Sequence, residues 1–196
     1  WSPSWKLPRT TDELISLADT IKKAGKVPFV YSLKDSYWGI YVVWAAQYEG
    51  LEAMAAYDEG YAPNGKRYVP ELALYPGFEK ALKVLEVLLK DENGYCHSRS
   101  KEVDFTMAQN MFLEGDAVMQ DWIESEMRAN FAEGETDIEF MKMPVISSIV
   151  DKCPSITGTE EEKEAKLCAV VDYVDGVGGA TLPEGVTQED AEYIRS

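Results

Sequence analysis

The segment Lys34–Gly50, KDSYWGIYVVWAAQYEG, constrains the fold most, because the helix its spacing predicts is apolar on nearly every side. Such a helix holds its place only in an interior, so neighbouring elements must cover it. Candidates stand directly before it. TTDELISLADTIKKAG opens on a Thr10-x-x-Glu13 capping box, carries Leu14, Leu17, Ala18 and Ile21 on one face and closes on Gly25, which predicts an amphipathic helix. KVPFVYS then reads as a short buried strand, and Asp35 stands where it can cap the apolar helix that follows.

Further along, PGFEKALKVLEVLLKDENG places Phe78, Ala81, Leu82, Leu85, Leu88 and Leu89 at helical spacing, with Pro76 near its start and Asn93-Gly94 as a stop. DFTMAQNMFLEG predicts a shorter helix with Phe105, Ala108 and Phe112 inward, ended by Gly115. DAVMQ and DIEFMKMPV read as strands. Strands that alternate with helices predict an α/β fold, helix-rich around a small mixed sheet. The charged helix in TGTEEEKEAKLCAVVDYVDG turns apolar only from Ala165, and the glycine-rich GVGGATLPEG connects onward.

Charge excludes several functions. With 19 Lys and Arg against 35 Asp and Glu, the net charge of -16 repels phosphate backbones and anionic lipid, so no nucleic-acid partner is expected. No run approaches the ~20 apolar residues of a membrane span, so direct membrane insertion is not expected either. Cys96, Cys153 and Cys168 lack metal-site spacing, and His97 is the only histidine, so neither a zinc site nor a His-dependent triad is expected. No cofactor is implied. The start at Trp1 and the helix signal of Thr187 and Asp190 shortly before Ser196 give the expectation of a piece of a longer protein.

The order of these pieces is specific: the capped helix, the aromatic DSYWGIYVVW, a long helix, then FLEGDAVMQDW and a segment ending in MP. In that order they resemble the extracytoplasmic sugar-binding proteins of ABC importers, over about residues 7–146. Phe112–Trp122 is similar to the family's F-x-x-G-x-A-A-M segment with an aromatic a few residues on. Thr11 stands where the family's P-x-T-W-D-E-L has its aromatic, and nothing between Ser147 and Gly179 matches. The resemblance implies that residues 1–146 are most of the C-terminal lobe of a two-lobe solute-binding protein. Residues 147–196 would elaborate or connect the same lobe.

In open α/β sheets ligands bind beyond the carboxyl ends of strands, which would bring Asp121 and Trp122 to that mouth. A sugar needs a flat aromatic against its C–H face and acceptors for its hydroxyls, and Asp35, Tyr37 and Trp38 offer the same combination. The resemblance implies ligand contact by Asp35, Tyr37 and Trp122, with Trp38 and Asp121 beside them. Bland roles compete. Asp35 and Asp121 could be helix caps, Trp122 could be core, and Trp44, deep in an apolar segment, is expected in the core.

The expected function is therefore capture of a sugar or oligosaccharide by lobe closure, outside the cytoplasmic membrane in the periplasm or lipid-anchored at the cell surface, with permease subunits as partners and no catalysis. Two alternatives stand beside it. A glycosidase would draw its carboxylates from Glu114, Asp116, Asp121 and Glu124, although carboxylates crowd by chance in so acidic a chain. The other is an interaction or adhesin domain without a small ligand.

Overall fold

The computed structural model describes residues 2–35, 39–120 and 138–195. These residues are helix-rich around a small parallel sheet, and they fall into two compact units. The first comprises Trp1–Leu7, Leu14–Ile40 and Leu85–Lys142, the second Pro8–Glu13, Tyr41–Val84 and Met143–Ser196.

In the first unit, β1 (Phe29–Val30) pairs in parallel with β2 (Met119–Gln120), Phe29 opposite Met119 and Val30 opposite Gln120. A parallel bridge from Phe29 to Cys96 on its other side makes β1 the inner strand. The Phe29 N–H donates to Tyr95 O at 2.9 Å, and His97 N–H to Phe29 O at 2.8 Å. Every described pairing here is parallel, so the small sheet expected to be mixed is parallel in this unit. Helix α5 (Phe105–Leu113) packs on both strands and buries Ala108 and Met111 with Val30, Val103 and Ala117. Gly115 ends it with a φ of 83°, a left-handed turn that a side chain would strain.

Helix α1 (Thr11–Lys23) buries Leu14, Leu17, Ala18 and Ile21, the stripe its sequence spacing predicts. Its start differs from the expected reciprocal box. Thr10 Oγ1 accepts the Glu13 N–H at 3.2 Å, whereas the Glu13 carboxylate reaches Arg9, taking its N–H at 2.8 Å and its Nε–H at 3.0 Å. A guanidinium one residue upstream offers the carboxylate charged donors that the Thr10 amide lacks.

The second unit contains most of α2 (Gly39–Glu49), α3 (Leu51–Asp58), the larger part of α4 (Pro76–Leu89), α6 (Glu160–Val174) and α7 (Gln188–Arg195). Helix α2 is not covered all round. Trp44, Ala45 and Tyr48 are buried, but Val42 and Val43 are 38% and 41% exposed, because the buried set follows one helical face and these valines lie off it. Trp44 is core as expected, its indole N–H donating to Pro144 O at 3.1 Å. In α4, Ala81, Leu85 and Leu88 form the buried stripe, whereas Leu82 is exposed instead of inward. A Cβ at Gly77 would lie 2.7 Å from Ala45 O, so the start of α4 approaches α2 only because residue 77 is glycine.

Helix α6 packs on α7 and on the 3-10 turn Ser147–Lys152 and carries a complete capping box between Thr159 and Glu162. The strand expected over DIEFMKMPV does not form in its described part. Phe140 is exposed and only Val145 pairs, in an isolated parallel bridge with Thr10; Pro144 has no N–H to offer a ladder.

Candidate functional site

Because β1 and β2 run parallel, their carboxyl ends open toward the same side, where ligands enter folds of this class. After β1 the chain passes through Tyr31 and Ser32 to Asp35. Ser100 fastens that passage: its hydroxyl accepts the Tyr31 N–H and the Cys96 thiol, both at 3.1 Å, and its carbonyl accepts the Leu33 N–H at 3.0 Å. The Ser32 hydroxyl donates to Val103 O at 3.3 Å. The loop is thus tied by both backbone and side chains.

Asp35, exposed, accepts the Phe105 N–H at 2.6 Å and so serves the start of α5; α2 begins at Gly39. The amides that Asp35 is expected to cap on its own helix lie outside the described residues, and the bond that is described goes to the start of α5. Asp104 caps the same helix by accepting the Met107 N–H at 2.9 Å, so two carboxylates satisfy orphan amides where the helix dipole is positive.

Gln120 is the residue that the sequence reading missed. It is the last residue of β2, and its side-chain Oε1 is buried with no hydrogen-bond partner among the described residues. An amide oxygen left so costs about 1–3 kcal/mol. Its signal was available in the sequence as a polar residue closing an otherwise apolar strand.

Asp121, Trp122, Tyr37 and Trp38 lie outside the described residues, as does Glu124. Of the other carboxylates considered for glycoside chemistry, Glu114 and Asp116 are both exposed on the turn around Gly115. His97 has a structural task, its Nδ1 accepting the Arg99 N–H at 3.2 Å to cap the 3-10 turn Ser98–Lys101. Cys153 and Cys168 are buried thiols, and no group of metal-ligating side chains forms among the described residues. Nor is any described helix long and apolar enough to cross a membrane.

The second unit has an open recess of about 640 Å³ between the start of α1 and α6. Arg9 spans it, donating from Nη1 to Asp172 at 2.7 Å while holding Glu13, and these hydrogen bonds keep the Glu13 carboxyl below its ordinary range. Glu164 moves the other way: burial raises it, and the Thr10 hydroxyl donates to it. With Arg9 already doubly engaged, the recess, lined mostly by carboxylates, lacks the convergent free donors of a polar ligand site.

No protein-family model matches the sequence, and no curated protein matches it. Among solved structures, a chain from a study of xylan utilization by the thermophilic bacterium Caldanaerobius polysaccharolyticus aligns with 95% of this chain at a TM-score of 0.58 and 19% identity. The chain shares its fold with that protein. It spans about half, 51%, of the neighbour's length. At this identity the likeness establishes the α/β fold alone.

Proposed function

We propose that the chain is a lobe of a carbohydrate-capture protein, the substrate-binding component of an ABC importer working outside the cytoplasmic membrane. It holds a sugar or oligosaccharide by closure of two lobes, hands it to permease subunits and performs no covalent chemistry. The observation that carries this reading is the pair of acceptors at the parallel strand ends, the fixed Asp35 carboxylate and the buried Gln120 oxygen, which has no partner among the described residues. The order of sequence segments supports it, as does a fold shared with half of a protein from a study of xylan utilization.

The chemistry follows from the groups. A sugar hydroxyl donates to Gln120 Oε1, which has no partner to give up among the described residues. A second hydroxyl uses the lone pairs that Asp35 retains beside the Phe105 bond. Tyr37, Trp38 and Trp122 bring the flat faces that a pyranose C–H surface requires, and Asp121 adds a carboxylate. Contacts from both lobes stabilise the closed form, and the permease reads that form.

The test is equilibrium titration of the full-length protein with xylo-, cello-, malto- and manno-oligosaccharides, paired with a reducing-sugar release assay. Saturable binding without turnover is expected, and Gln120→Ala weakens it about tenfold, the loss of one buried hydrogen bond. Credible turnover, or no binding anywhere in the panel, overturns the reading.

A further inference from the structure

The segment Gly60–Tyr68 of the second unit carries a largely exposed aromatic. It turns back on itself through Asn64-Gly65: the Ala62 N–H donates to Lys66 O and the Gly65 N–H to Ala62 O, both at 2.8 Å, and Tyr61 bridges Arg67 in antiparallel fashion. Tyr68 then donates its N–H to Gly60 O at 2.8 Å and stands at a φ of 52°, the only positive value of a non-glycine residue among those described. An L residue adopts that conformation only at a cost in free energy, more so for a bulky side chain. Burial does not offset it, because Tyr68 is 73% exposed.

Its surroundings hold the ring in that position. The Cδ1–Cε1 edge lies over Gly60, where a Cβ would come within 2.3 Å of Cε1, so no other residue type at 60 is compatible with this ring position. The Arg67 guanidinium lies 4.8 Å from the Tyr68 ring centroid and 5.0 Å from that of Tyr61, and its Nε donates to Glu59 O at 2.9 Å. Cation and glycine fix the plane of the ring and leave most of its surface in water. A ring already fixed loses little rotamer freedom when a ligand lies on it.

We propose that Tyr68 is a stacking platform for a pyranose ring of an oligo- or polysaccharide, a carbohydrate contact additional to those at the strand ends. The proposal rests on the reading of the chain as a carbohydrate-capture protein. Strain kept at an exposed aromatic is the pattern of a functional position, and a planar ring with a free face is complementary to the apolar C–H face of a sugar.

Affinity electrophoresis of the full-length protein through gels containing soluble xylan, β-glucan or mannan tests this, with oligosaccharide titration run beside it. Tyr68→Gly is the decisive variant, because glycine suits a φ of 52° and the melting temperature should hold or rise. Retardation should weaken about tenfold in Tyr68→Gly, as expected for one lost stacking contact, and stay within about twofold in Tyr68→Phe. Equal retardation of wild type and Tyr68→Gly, or no retardation of a wild type that still binds oligosaccharides, overturns the platform and leaves the capture reading intact. Equal losses in the Gly and Phe variants also overturn it, since the hydroxyl and not the ring face would then carry the contact. Absence of any carbohydrate binding overturns both.

Discussion

Asp35 accepts the Phe105 N–H at 2.6 Å, which fastens the loop leaving β1 to the first residue of α5. The same carboxylate therefore sets the geometry of the strand ends and remains exposed beside them. Asp35→Ala should cost about 1 kcal/mol of folding stability, the ordinary worth of a helix-terminal acceptor, with Asp35→Asn costing less because it keeps an acceptor oxygen. Urea denaturation measures this. Sugar affinity should fall in both variants, so a binding loss in Asp35→Asn without a matching stability loss separates the ligand role from the cap.

Trp44 is fully buried, and its indole N–H donates to Pro144 O at 3.1 Å. Trp44→Phe removes the donor as well as part of the ring, leaving a buried carbonyl unsatisfied next to a void. A loss of about 2–4 kcal/mol follows from those two contributions, with the denaturant slope unchanged. A cost below ~1 kcal/mol would mean that water reaches the carbonyl.

Local elements were legible where one stripe of apolar residues met its own start and stop signals. Leu14, Leu17, Ala18 and Ile21 with Gly25 are such a case, as are Phe105 and Ala108 with Gly115, although Met111, not named from the sequence, is buried more fully than Phe112. Apolar composition without a stripe misled: α2 reads as interior on every side, yet Val42 and Val43 face water. At the site, Asp35 could be named as an acid following a strand, but its partner Phe105 is 70 positions away and no local pattern encodes that pairing. Gln120 matters only because its buried oxygen has no partner among the described residues, and Tyr68 only because of its backbone angle and the bare Gly60 beneath it. Both are properties of assembled neighbours rather than of residue type.

The thiols should react in a fixed order. Burial pushes Cys153 and Cys168 up to about 12, so almost no thiolate is present at mildly alkaline pH, whereas Cys96 is only partly buried. Native protein treated with iodoacetamide should take one label, located at Cys96 by mass spectrometry, and three after denaturation. Rapid native labelling at Cys153 would show that the second unit opens locally far more often than its packing implies.

Glu13 and Glu164 line one recess and should make opposite contributions to the pH dependence of folding. Arg9 lowers Glu13 below the ordinary value of 4.5, so its stabilisation is present above that value and lost as pH falls through the folded pKa. Glu164 is raised from 4.5, chiefly by burial, with the Asp12 charge adding to it and the hydrogen bond from Thr10 opposing it. Its folded form holds the proton more tightly than the unfolded chain does, so its contribution is present below 4.5 and is lost as pH rises through the folded value. Glu164→Gln keeps an oxygen for the Thr10 hydroxyl and removes the charge that burial penalises. The variant should be more stable than wild type near neutral pH, and the difference should shrink as pH is lowered toward 4.5, where the wild-type carboxyl is increasingly neutral. Urea midpoints across that range decide it. A difference that stays constant with pH, or a less stable variant at neutrality, would mean that Glu164 is paired as a carboxylate and that hydrogen bonding, not burial, governs the recess.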